Sequence, residues 1–115
     1  MNTYKNLQGK SAITQRIIDK VREAVHAIVP NADIILFGSR ARGDALDYSD
    51  WDFLILTEKQ PHFELVTQIR DKLYEIELEM DTILSAIIRS RKEWESGIMA
   101  GLPFKQEVEK DGVRI

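Results

Sequence analysis

Two short apolar runs limit what this chain can fold into. Residues 33–37, Asp-Ile-Ile-Leu-Phe, and residues 52–56, Asp-Phe-Leu-Ile-Leu, have the length and character of buried strands. The fourteen residues between them, 38–51, must therefore connect two strands of one core. A plain connector needs turn residues and solubility. This one carries Gly38-Ser39, Arg40, Arg42 and Gly43, then Ser49-Asp50-Trp51-Asp52 at the mouth of the second run. It permits either a wide hairpin or a short helix, and a helix beginning at Ser39 would aim its free N–H groups at whatever binds near Gly38.

The flanking pattern adds helices. Ser11 precedes a segment with Ile13, Ile17, Val21, Ala24, Val25 and Ile28 at helical spacing, closed by Pro30-Asn31. Phe63, Val66, Ile69 and Leu73 predict a second amphipathic helix over about 62–76. Leu-Glu-Met-Asp-Thr-Ile-Leu-Ser-Ala-Ile, residues 78–87, reads as a third strand on the strength of its β-branched residues. Two short helical pieces follow, broken by Gly101-Leu102-Pro103, and Gly112 releases a final Val-Arg-Ile as a short edge strand. The order predicts an α/β (α+β) domain: a small mixed sheet with helices packed mainly on one face. At 115 residues the chain is expected to form a single domain over 1–115, with 1–10 as a flexible N-terminal segment.

Composition narrows the class of function. Sixteen basic and nineteen acidic residues leave a formal charge of −3, which disfavours a dedicated nucleic-acid binder. There is no cysteine, so disulfides and thiolate metal sites are excluded. The first ten residues lack the apolar core of a signal peptide, and no apolar run is long enough to span a bilayer. A cytoplasmic protein without membrane attachment is expected.

The chemistry concentrates between residues 38 and 52. Asp50 and Asp52, two apart at a strand entry, project to the same side. Two like charges held together favour a cation between them, and Mg²⁺ selects carboxylate oxygens. Taken alone, the spacing favours the plainer reading, Asp50 as a loop-end turn former and Asp52 as a strand-edge solubility residue. Asp81, embedded among apolar residues of the third strand candidate, is expected to complete a three-carboxylate site; Glu77 and Glu79 are the alternatives. Gly38 allows close backbone approach to a phosphate, Ser39 offers a hydroxyl, and Arg40 or Arg42 offers a bidentate fork. The same arginines could instead pair with Asp44 and Asp47. His26 and His62 lack partners at ligand spacing and read as structural or exposed. Trp51, between the two aspartates, points to the other side and reads as core; Trp94 and Phe104 belong to the core or to a dimer surface.

The stretch Gly-Ser-Arg-Ala-Arg-Gly-Asp-Ala-Leu-Asp-Tyr-Ser-Asp-Trp-Asp resembles the signature of the minimal nucleotidyltransferase domains in the DNA polymerase β-like superfamily. That signature is G-S-x-A-R-G, a short spacer, then S-D-x-D and an apolar strand. It is matched at Gly38, Ser39, Ala41, Arg42, Gly43, Ser49, Asp50 and Asp52, and the tail from Gly101 is similar to the ending of such domains. The resemblance implies transfer of a nucleoside monophosphate, AMP from ATP, to an acceptor hydroxyl with release of pyrophosphate. It implies Mg²⁺ or Mn²⁺ on Asp50, Asp52 and Asp81, and triphosphate on Gly38, Ser39 and Arg42, with Arg40 at a variable position. It also implies a partner that supplies the acceptor, either a small helical HEPN-type toxin whose antitoxin this chain would be, or a second copy of the chain. The rival expectation is a catalytically weak binding module that neutralises a partner by steric contact.

Overall fold

The computed structural model describes residues 1–3 and 11–115. Its elements run β1 (Asn2–Thr3), α1 (Ala12–Ile28), β2 (Asp33–Phe37), α2 (Ser39–Arg42), β3 (Trp51–Thr57), α3 (Phe63–Met80), β4 (Leu84–Ser90), α4 (Arg91–Trp94), α5 (Gly97–Ala100), α6 (Pro103–Asp111) and β5 (Val113–Arg114). The mixed sheet has the order β1-β5-β2-β3-β4. β2 and β3 are antiparallel, with Phe37 opposite Asp52, and β3 and β4 are parallel, with Asp52 opposite Ser85. The expected C-terminal strand is present, but Asn2–Thr3 pairs along its outer side. The rest of the expected flexible segment, 4–10, lies outside the described residues.

Strand alternation divides the core into two layers. Ile34 and Leu36 of β2, Trp51, Phe53 and Ile55 of β3, and Leu84, Ala86 and Ile88 of β4 face one side, where α1 and α3 cover them. The two long helices thus share one face, as the pattern of the chain predicts. Ile35, Leu54 and Leu56 face the other side, where Trp94 of α4 and Val108 of α6 pack with Phe37, Met99 and Phe104. Phe104 meets both Phe37 and Trp94 edge-on, with ring centroids 5.4 and 5.9 Å apart. These short helices cover only part of their face, and the Asp52 end of β3 lies on that side.

α1 is capped as its sequence suggests, the Ser11 hydroxyl oxygen accepting from the Thr14 N–H. Its buried face is Ile17, Ile18, Val21 and Val25, while Ile13 is exposed in the first turn. α3 is one turn longer than the spacing predicts. Ile69, Leu73 and Ile76 are buried and Met80 packs beside them, so the helical stripe continues through Glu77-Leu78-Glu79. The third strand therefore starts at Leu84 rather than at 78. Asp81 is corrected with it: it is the exposed C-cap of α3, in the left-handed region at φ 50°. Aspartate tolerates that conformation, and its N–H closes the helix on the Glu77 carbonyl.

β4 is a sheet edge, and side chains guard it. The Trp51 N–H donates to the Ile83 carbonyl, which turns the backbone of alternate residues from Leu84 onward away from β3. Glu77 accepts from the Leu84 N–H at 2.9 Å, Arg89 donates to the Ile88 carbonyl at 2.8 Å, and Glu93 accepts from the Ser90 N–H at 3.1 Å. Charged side chains on exposed backbone groups discourage pairing with another strand.

Candidate active site

The site is built where β2 ends and β3 begins. Gly38 follows Phe37 with φ 77° and ψ −159°, a conformation open essentially to glycine. A Cβ at this position would lie 2.5 Å from Asp52 Oδ2. Glycine is therefore required twice, by its torsion angles and by the carboxylate across the strand pair. Immediately after it, α2 makes one helical turn, with the Ala41 and Arg42 N–H groups donating to the Gly38 carbonyl. Gly43 ends that turn in the left-handed region at φ 87°, its N–H donating to the Ser39 carbonyl.

The two arginines of the loop have different surroundings. Arg40 turns inward and braces the connector: its guanidinium donates to the Asp47 carbonyl at 3.1 Å and to the Ser49 carbonyl at 2.9 Å. The same group lies 4.6 Å from the Trp51 ring centroid, a cation–π contact with a residue of the opposite core layer. Arg40 is thus engaged by the loop and by Trp51. Ser49 contributes a further brace, its hydroxyl oxygen accepting from the Leu46 N–H at 2.8 Å. Arg42 stays exposed, 3.3 Å from Asp44 Oδ2, and lines a cleft with Phe37, Gly38, Phe104, Glu107, Val108 and Asp111. The approach of α6 to the glycine turn was not visible in the sequence, because helical periodicity does not reveal which strand end a helix covers.

Asp52 is half-buried on the α4–α6 side of β3, and exposed Asp50 directly precedes the strand. Burial and then the neighbouring Asp50 charge push the Asp52 carboxyl above its ordinary range; Arg42 pulls in the opposite direction. The pair is thus short of positive charge. Two carboxylates with that deficit fit one hard divalent cation, whose remaining ligands are ordinarily water and phosphate oxygens. A three-carboxylate centre does not fit. Asp81 is the exposed C-cap of α3, and among the described residues no three His, Cys, Asp or Glu converge. Glu77 is committed to the Leu84 N–H and Glu79 forms a 2.8 Å ion pair with Lys20.

The nucleotidyltransferase domain family matches residues 18–113. The chain belongs to that family. Among solved structures, this nucleotidyltransferase domain resembles a toxin–antitoxin crystallised with AMP-PNP, at 20% identity and a TM-score of 0.59, over 84% of this chain and 69% of that one. It also resembles a putative nucleotidyltransferase from Sulfolobus solfataricus, at 23% identity and a TM-score of 0.52, over 93% of this chain and 89% of that one. At such identities the likeness is one of fold. A comparison with curated proteins found no match. Among the described residues, no helix of this nucleotidyltransferase domain is long and apolar enough to cross a membrane.

Proposed function

We propose that this domain transfers a nucleoside monophosphate, AMP from ATP, to an acceptor hydroxyl and releases pyrophosphate. The observation that carries the reading is the placement of the Asp52 carboxylate in the space a side chain at residue 38 would fill, because it joins the phosphate-type turn to the carboxylate pair. The Gly38 backbone approaches the triphosphate, the first N–H groups of the following turn and the Ser39 hydroxyl donate to its oxygens, and exposed Arg42 adds a guanidinium fork. Asp50 and Asp52 would hold Mg²⁺ or Mn²⁺, which when bound neutralises charge on the phosphates. The acceptor oxygen bonds to the α-phosphorus, the bridge to the β-phosphate breaks, and pyrophosphate departs with the bridging electron pair.

The test is isothermal titration with a non-hydrolysable ATP analogue and Mg²⁺, paired with transfer assays on Asp52→Ala. Tight analogue binding by the wild type, and loss of transfer in a variant that still folds, are expected. Wild-type turnover by Asp52→Ala would remove the assignment.

The acceptor is proposed to be carried by a protein partner, a small helical HEPN-type toxin, with this chain as the antitoxin. The support is the fold shared with a toxin–antitoxin crystallised with AMP-PNP. That no third carboxylate joins the pair among the described residues favours a second reading, a catalytically weak module that neutralises its partner by contact. Absence of analogue binding together with partner neutralisation would select it.

A further inference from the structure

Asp52 has a cross-strand neighbour that the chemistry above does not use. The parallel register sets it opposite Ser85 of β4. Alternation from Leu54 on β3 and Ile87 on β4 puts both residues on the α4–α6 side of the sheet. Adjacent strands lie about 4.8 Å apart, so a carboxylate at residue 85 would reach a cation held by Asp52. The chain has an exposed serine there. Asp81 does not substitute: it is the exposed C-cap of α3, and among the described residues no three His, Cys, Asp or Glu converge.

We infer that Ser85 makes this a one-cation site, where a triphosphate is held through Asp50 and Asp52 while β4 offers the acceptor hydroxyl no proton-accepting carboxylate. The inference rests on the nucleotidyltransferase reading above and specifies what the acceptor must bring. A serine hydroxyl is too weak a base to take the acceptor's proton near neutral pH, whereas a carboxylate can. The balance of the step then sends that proton to a carboxylate presented with the acceptor, as the acceptor oxygen bonds to the α-phosphorus and pyrophosphate leaves. The matching partner is a protein with a hydroxyl beside an acidic side chain.

The experiment counts Mn²⁺ by electron paramagnetic resonance on the full chain saturated with a non-hydrolysable ATP analogue. One Mn²⁺ per chain is expected for the wild type, for Asp81→Asn and for Ser85→Asn, and two for Ser85→Asp. Two on the wild type, loss of the ion in Asp81→Asn, or a single ion in Ser85→Asp would overturn the inference while leaving nucleotide binding standing. If the wild type retains no analogue at all, the nucleotidyltransferase reading falls and this inference falls with it.

Discussion

The Asp52 carboxylate occupies the space that any side chain at residue 38 would need, with Oδ2 2.5 Å from an ideal Cβ on Gly38. Gly38 directly follows β2 and Asp52 is the second residue of β3, and the antiparallel pairing of Phe37 with Asp52 sets their separation. A change at either should be felt at the other.

Gly38→Ala introduces both a strained torsion, at φ 77°, and a collision with Asp52. A loss of about 1–3 kcal/mol in stability is expected, chiefly from the torsion, with the displaced Asp52 carboxylate adding to it. Thermal unfolding measures that loss. Titration with an ATP analogue and Mg²⁺ should show at least ~10-fold weaker binding, a 1.4 kcal/mol effect.

Asp52→Asn should raise the stability of the metal-free chain while abolishing transfer. The folded-state pKa of Asp52 is raised by burial and by Asp50, so its contribution favours folding below the ordinary carboxylate pKa. That contribution is lost as pH rises through the raised value. Solvent screening at this half-exposed site limits the gain at neutral pH to on the order of 0.5 kcal/mol. Melting curves at pH 4–8 should show the variant's advantage growing with pH, and Mg²⁺ should stabilise the wild type alone.

Replacing Arg40 tests whether it braces the loop or binds phosphate. Arg40→Ala removes two carbonyl contacts and the Trp51 stack, and a loss of about 1–2 kcal/mol is expected. Hydrogen exchange should quicken across residues 43–50, and Arg40→Lys should rescue little, because an ammonium lacks the planar fork. Unchanged stability with a large loss of analogue affinity would instead make Arg40 a phosphate ligand.

Glu77→Ala uncovers the Leu84 N–H at the start of edge strand β4. Light scattering during storage or mild heating should show faster self-association than for the wild type. Glu77→Gln, which keeps an acceptor oxygen at that position, should behave close to the wild type.

The connector's motif was legible because its residues are local. Gly38, Ser39, Arg42, Asp50 and Asp52 lie within fifteen residues, and their spacing marks the turn and the strand entry without tertiary information. The strands flanking it were equally legible, since a continuous apolar run has few other uses. The extent of α3 was not. Residues 77–80 satisfy both a helical stripe and an approach to a β-branched run, and packing of Leu73, Ile76 and Met80 against α1 and the sheet decided for the helix.

Sequence alone thus determined the mixed α/β class, the glycine-serine turn and the carboxylate pair, because each depends on residues close together in the chain. Only the tertiary structure decided what stands beside that pair. Extending α3 made Asp81 its C-cap rather than a strand residue, and the parallel register of β3 with β4 brought Ser85 opposite Asp52. The reason is physical: register and helix length answer to burial over the whole core, and a shift of a few residues changes which side chain meets the metal-type site.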